Sequence, residues 1–112
     1  MDTKVLFICS ANCDSSPTAE KVFGRYSGLE TWSTGIMKND ETIDGCLRWA
    51  DAIVVMEKHH KEYICKHFAE AIDEKPIFTL DIPDNYFYMQ DSLVSLIQER
   101  MQPVLKEIQK KS

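Results

Sequence analysis

Val5-Leu6-Phe7-Ile8-Cys9-Ser10-Ala11-Asn12-Cys13-Asp14-Ser15-Ser16-Pro17 is the stretch on which the fold turns. Residues 5–9 are continuously apolar rather than alternating, the pattern of a strand covered on both faces. A polar loop follows. Pro17 then opens a helix, since proline is preset for a first helical position, and Ser16 is placed to cap it. Ala19, Val22, Phe23 and Tyr26 recur at helical spacing as one buried stripe. Gly28 ends that helix.

The remainder repeats the theme. Residues 29–34 form a weaker strand, placed at an edge, with Trp32 its large anchor. Ile43, Cys46, Leu47 and Ala50 have helical spacing, and residues 52–56 are a second wholly apolar strand. Ile64, Phe68 and Ala71 mark a third helix. Residues 76–80 make the fourth strand, where a leading proline is tolerated. A last helix carries Leu93, Ile97, Met101, Val104, Leu105 and Ile108, and Pro103 is expected to kink or split it. Four strand–helix units predict an α/β fold: a three-layer sandwich with a four-stranded parallel sheet, in one domain spanning 1–112. Sites on such sheets lie beyond the carboxyl ends of the strands. Here that edge comprises loops 10–16, 35–40, 57–59 and 81–90.

The chain has 112 residues, 44% hydrophobic and 28% charged, with a net charge of −5. That balance argues against nucleic acid and acidic membranes as partners, which favour a basic face. No run approaches the roughly 18 apolar residues of a membrane span, and the apolar run behind Met1 is too short for a secretory signal. Cys9, Cys13, Cys46 and Cys65 form no Cys-x-x-Cys pair, so they read as thiols of a cytoplasmic protein rather than a disulfide framework. His59, His60 and His67 read as surface residues, because neighbouring histidines on a helix diverge, and no metal is expected.

The loop after Cys9 leads into a helix amino terminus, where unpaired N–H groups and the positive end of the macrodipole favour anions. A cysteine aimed there is a nucleophile in waiting. The residues alone leave a second reading open, a buried structural cysteine.

The run 5–9, Asn12 and Ser16-Pro17-Thr18-Ala19-Glu20 resemble the signature loop of the low-molecular-weight protein tyrosine phosphatases. That loop reads Cys, five residues, Arg, Ser, Pro, with Asn third after the cysteine. Ser33-Thr34-Gly35 resembles the family's Ser-Ala-Gly, and residues 50–56 its third strand with the preceding Ala-Asp. Ile82-Pro83-Asp84-Asn85-Tyr86 resembles its Val-Pro-Asp-Pro-Tyr acid loop. The likeness runs in order from the first strand to about residue 97, with a shorter segment than usual between Gly35 and Asp51. It implies Cys9 as nucleophile, Asn12 as the residue that holds the loop, and Ser16 as a donor to the thiolate. Asp84 would be the general acid that protonates the leaving phenol and later activates water. Tyr86 would line the substrate mouth, with Phe87 or Tyr88 beside it. The implied partner is a phosphorylated protein, a small phosphomonoester or an inorganic anion, without metal or organic cofactor. Oligomeric state is not implied.

One position departs. Ser15 stands where the family has arginine, and Asp14 stands beside it. A guanidinium grips two phosphoryl oxygens at once; serine has neither the fork nor the charge. Charged clamps of this kind are worth on the order of 10³–10⁵ in rate. A carboxylate about 5 Å from a phosphate repels it by roughly 3 kcal/mol per unit charge at an effective dielectric near 20. Arg25, Arg48 and Arg100 are read as remote from the strand ends. Lys38 and Lys58 lie on loops at that edge, and Lys38 is the preferred substitute point charge. The expectation is a phosphatase-like protein with hydrolysis weak or lost. The alternatives are a pseudophosphatase binding module, and a thiol redox or arsenate-reductase-like protein using Cys9 and Cys13.

Overall fold

The computed structural model describes residues 2–110. Four strands, β1 (Thr3–Cys9), β2 (Leu29–Gly35), β3 (Ala52–Val55) and β4 (Ile77–Thr79), form one parallel sheet in the order β2-β1-β3-β4. Helices α1 (Ser15–Phe23), α2 (Asp40–Trp49), α3 (Lys58–His67), α4 (Ala69–Ile72) and α5 (Asp91–Lys110) connect or follow them. The expected three-layer α/β sandwich is present, with β2 at an edge. Among the described residues no helix is long and apolar enough to cross a membrane.

Alternation of side chains along β1 explains why its apolar run is continuous. Val5, Phe7 and Cys9 point into a core shared with α1 and α5, while Leu6 and Ile8 point into a second core under α2, α3 and α4. Both layers exclude water from the sheet. Because β1 and β3 diverge to opposite sides of the sheet order, the carboxyl ends of these two strands flank the switch point where α/β sheets place their ligands.

Several local expectations are corrected. Helix α1 begins at Ser15, not Pro17, its first bond running from the Thr18 N–H to the Asp14 carbonyl at 3.0 Å. Proline is harmless in a first turn, where N–H groups lack helical acceptors. The helix stops at Phe23 with Gly24 as its cap, so Gly28 does not end it; Gly28, at φ +88°, shapes the turn into β2. Tyr26 falls outside the helix and is 40% exposed, and Trp32 is 55% exposed rather than an anchor. Phe68 departs from helical geometry and divides the third helical stretch into α3 and α4. Strand β3 ends at Val55, and β4 is only three residues long. Helix α5 runs unbroken through Pro103.

Candidate active site

Cys9 is the last residue of β1, paired with Gly35 of β2, and its side chain is buried. The chain must turn sharply after it to reach α1. Asn12 makes that turn at φ 58°, the left-handed region that asparagine tolerates better than most residues. The turn folds the Asn12 N–H back onto Cys9 Sγ, at 3.1 Å. From the first turn of α1, Ser16 Oγ lies 2.9 Å from the same sulfur and 2.9 Å from Asn12 Oδ1. The Thr34 carbonyl is a looser neighbour of that hydroxyl at 3.3 Å. Cys9, Asn12 and Ser16, which the resemblance groups as site residues, are therefore brought together.

Proton accounting shows what this triangle permits. With Cys9 a thiol, the S–H donates to Ser16, whose own proton goes to Asn12 Oδ1. With Cys9 a thiolate, Ser16 must donate to sulfur, and the Asn12 carboxamide must turn to offer its NH₂ to the serine oxygen. Either arrangement lets Ser16 bond both Cys9 and Asn12, and the backbone N–H of Asn12 donates to sulfur in both.

Gly35 supports the loop from below. A Cβ built there would lie 2.5 Å from the Ser10 carbonyl oxygen and 2.7 Å from the Asn12 nitrogen, both backbone atoms. Close approach of β2 to the loop is also seen in the bonds Ile36 N–H to Cys9 O at 3.0 Å and Met37 N–H to Ser10 O at 2.9 Å.

Ser15 is buried at the first position of α1. The Asp14 carboxylate does more than add negative charge. Its Oδ1 accepts the Tyr88 N–H at 2.9 Å, and Thr18 Oγ1 donates to the Asp14 carbonyl at 2.6 Å while accepting the Met89 N–H at 2.9 Å. These bonds fasten the end of loop 81–90 to the start of α1. Asp81 and Met89, at φ 56° and 59°, bracket that loop with two left-handed turns. Between them Asp84 is exposed, and Tyr86 is half-buried against the core beneath α5. Phe87 and Tyr88 are exposed.

Lys38 lies on an exposed turn closed by its N–H to the Gly35 carbonyl at 3.1 Å; among the described residues its ammonium bonds to no loop residue. Arg100, read from the sequence as remote, reaches back to the Leu80 and Asp81 carbonyls at 2.7 and 3.2 Å and so steadies the start of loop 81–90.

His60 corrects the surface assignment given to the histidines: it is 1% exposed. Its Nδ1 accepts the Glu57 N–H at 3.0 Å, its backbone N–H is capped by the Glu57 carboxylate, and its Nε2 lies 3.0 Å from Ser10 Oγ. Glu57, His59 and His60 each bring a potential ligand atom within 4.8 Å of the others. Both ring nitrogens of His60 are already bonded, however, and α3 turns its positive end toward the group, so the cluster is built as a helix cap. Sequence reading missed His60, and the signal was present: Glu57 and His60 stand at the N-cap and third helical positions of a capping box.

No family model matches the sequence, and no curated protein matches it. Solved structures do match. The YwlE arginine phosphatase from Geobacillus stearothermophilus aligns over 97% of this chain and 96% of its own, at 23% identity and a TM-score of 0.71. Wzb from Vibrio vulnificus, solved with benzylphosphonate, aligns over 96% and 99% at 24% identity and a TM-score of 0.72. The tyrosine phosphatase Wzb from Escherichia coli K30, solved with phosphate, aligns over 96% and 99% at 22% identity and a TM-score of 0.71. The chain has the fold of the low-molecular-weight tyrosine phosphatases that its loop resembles.

Proposed function

We propose that this chain is a low-molecular-weight tyrosine phosphatase-like protein, a single cytoplasmic domain that holds a phosphate-bearing ligand over Cys9 and hydrolyses it slowly. The observation that carries the reading is the convergence of the Asn12 N–H and the Ser16 hydroxyl on one sulfur at the amino terminus of α1. A structural cysteine needs no such donors. The Wzb structures hold phosphate and benzylphosphonate, which supports a phosphomonoester or inorganic anion as the ligand class.

In the hydrolytic cycle the Cys9 thiolate attacks phosphorus and forms an S–P bond as the P–O bond to the leaving group breaks. Asp84 gives its proton to the departing oxygen. Water then attacks phosphorus, Asp84 takes its proton back, and the S–P bond breaks to release phosphate. Asn12 and Ser16 steady the sulfur, Ser15 lines the loop without charge, and Tyr86 walls the mouth. Lys38 contributes only as a solvent-screened charge.

Loss of the guanidinium fork favours a second reading on the same cradle, ligand binding without turnover. One experiment separates them. Phosphate is expected to protect Cys9 from iodoacetamide, with aryl phosphate turnover at least about 10³-fold below an arginine-bearing relative. Turnover no higher than in Cys9→Ala selects the binding reading. An alkylation rate indifferent to phosphate overturns both.

A further inference from the structure

Ser10 and His60 are fifty residues apart, yet their side chains meet across the switch point of the sheet. Ser10 is the first residue after β1 and the immediate neighbour of Cys9; His60 lies in the first turn of α3, just after β3. The protonation of the ring follows from its partners. A backbone N–H can only donate, so the Glu57 N–H requires a lone pair on Nδ1. The single ring proton of the neutral imidazole then sits on Nε2, and it is donated to Ser10 Oγ. Burial, and after it the neighbouring His59, lowers the His60 pKa to about 4, so the neutral ring persists at physiological pH.

This fixes the serine as well. With its oxygen accepting from His60, the Ser10 hydroxyl retains one proton to give, and among the described residues it has no acceptor for it. Ser10 is only half-buried. A hydroxyl on the residue next to Cys9 that is anchored through its lone pair and holds a free proton is an oriented donor for an anion at the loop.

We propose that His60 is a positioning residue that aims the Ser10 hydroxyl at the anion over Cys9, a neutral donor arm in a loop that lacks its arginine. The proposal rests on the anion-cradle reading above and names the part of that site which binds in place of charge. A neutral donor supplies far less than a guanidinium, which agrees with slow turnover.

The two nitrogens of His60 can be tested separately. Asparagine reproduces the Nδ1 position, so His60→Asn retains the acceptor for the Glu57 N–H and loses the donor to Ser10. Glutamine reaches the Nε2 position, so His60→Gln retains the donor and loses the cap. Phosphate affinity, read as protection of Cys9 from iodoacetamide, is expected to fall about threefold to tenfold in Ser10→Ala and in His60→Asn. It should stay within about twofold of the parent in His60→Gln, although that variant melts at a lower temperature. His60→Asn should add less than about twofold in a Ser10→Ala background. A purely structural histidine gives the opposite pattern, with affinity following melting temperature, and that result overturns the proposal. So does an unchanged affinity in Ser10→Ala. Protection seen in the parent but not altered by any variant removes this inference and leaves the cradle standing; no protection in the parent removes both.

Discussion

Two loops meet at the carboxyl edge of the sheet, and they are held in different ways. Loop 9–17 carries bonds of its own: Asn12 and Ser16 bond to Cys9 over three and seven residues, and Gly35 and His60 then hold the loop from outside. Loop 81–90 is fixed from outside. Its first residues are tied by Ile82 N–H to Met56 O at 2.8 Å and by Arg100, and its last by Asp14 and Thr18, which are 74 and 71 residues from their partners. The stretch between, where Asp84 stands, is exposed. The Cys9 side is thus a rigid unit, and the Asp84 side a span clamped at both ends. The proposed cycle draws on both, and here the rigid side carries Ser15 in place of an arginine while the clamped side uses the Asp14 carboxylate as one of its fasteners.

The largest effect expected on the rigid side concerns its buttress. His60 takes up a proton at about pH 4 in the folded chain, against an ordinary value of 6.5. Above pH 6.5 the ring is neutral whether the chain is folded or not, and the full stability is present. As pH falls from 6.5 toward 4, the unfolded chain binds the proton first, and stability drops by up to about 3 kcal/mol. Urea titrations at pH 7 and pH 4.5 should show this extra loss in the parent and not in His60→Asn. Equal losses in both would mean that the ring is not held neutral by the fold.

A smaller effect, of about 1–3 kcal/mol, is expected from Gly35→Ala, since a methyl group there collides with backbone that has nowhere to go. Gly45→Ala is the control. Nothing lies within 4 Å of its added methyl in the middle of α2, so it should stabilise by about 0.5–1 kcal/mol. Thermal unfolding of the two variants should move in opposite directions; a harmless Gly35→Ala would show that the loop is looser than described.

The clamp is the weakest term. Asp14→Ala removes one neutral-donor bond of roughly 1 kcal/mol, and the Tyr88 amide should exchange with deuterium about fivefold faster. Asp14→Asn retains an acceptor oxygen and should leave that amide nearly unchanged. Faster exchange throughout β1 in Asp14→Ala would instead signal general unfolding and break the contrast between the loops.

How much of this was legible in the sequence follows the same division. β1 and β3 were readable because buried strands write continuous apolar runs, the edge position of β2 because its run is weak, and the parallel arrangement because strands alternate with helices. Cys9 was readable from its place between a buried strand and a helix start, whereas Asn12 and Ser16 were legible through the resemblance of the loop to a known motif. Trp32 and Tyr26 misled: size and periodicity suggested burial, but an edge strand and a turn after Phe23 leave both rings in solvent. Asp14 was read only as a repulsive charge, since nothing local shows that its carboxylate meets the Tyr88 amide. His60 had a local signal in its capping box with Glu57, but its bond to Ser10 had none. Its partner Ser10 lies fifty residues away, and only the sheet order brings them together.

The central claim is that the geometry of a phosphatase cradle survives here without its charge, and restoring the charge tests it most directly. Asp14→Asn with Ser15→Arg supplies the fork, removes the repulsion and preserves the bond to the Tyr88 amide. Measured on a generic aryl phosphate, kcat/KM of the double variant should rise by at least about 10²–10³-fold over the parent, and a further Cys9→Ala should abolish the gain. A folded double variant with the parent's kcat/KM would contradict the account, because the geometry around Cys9 would then lack more than an arginine.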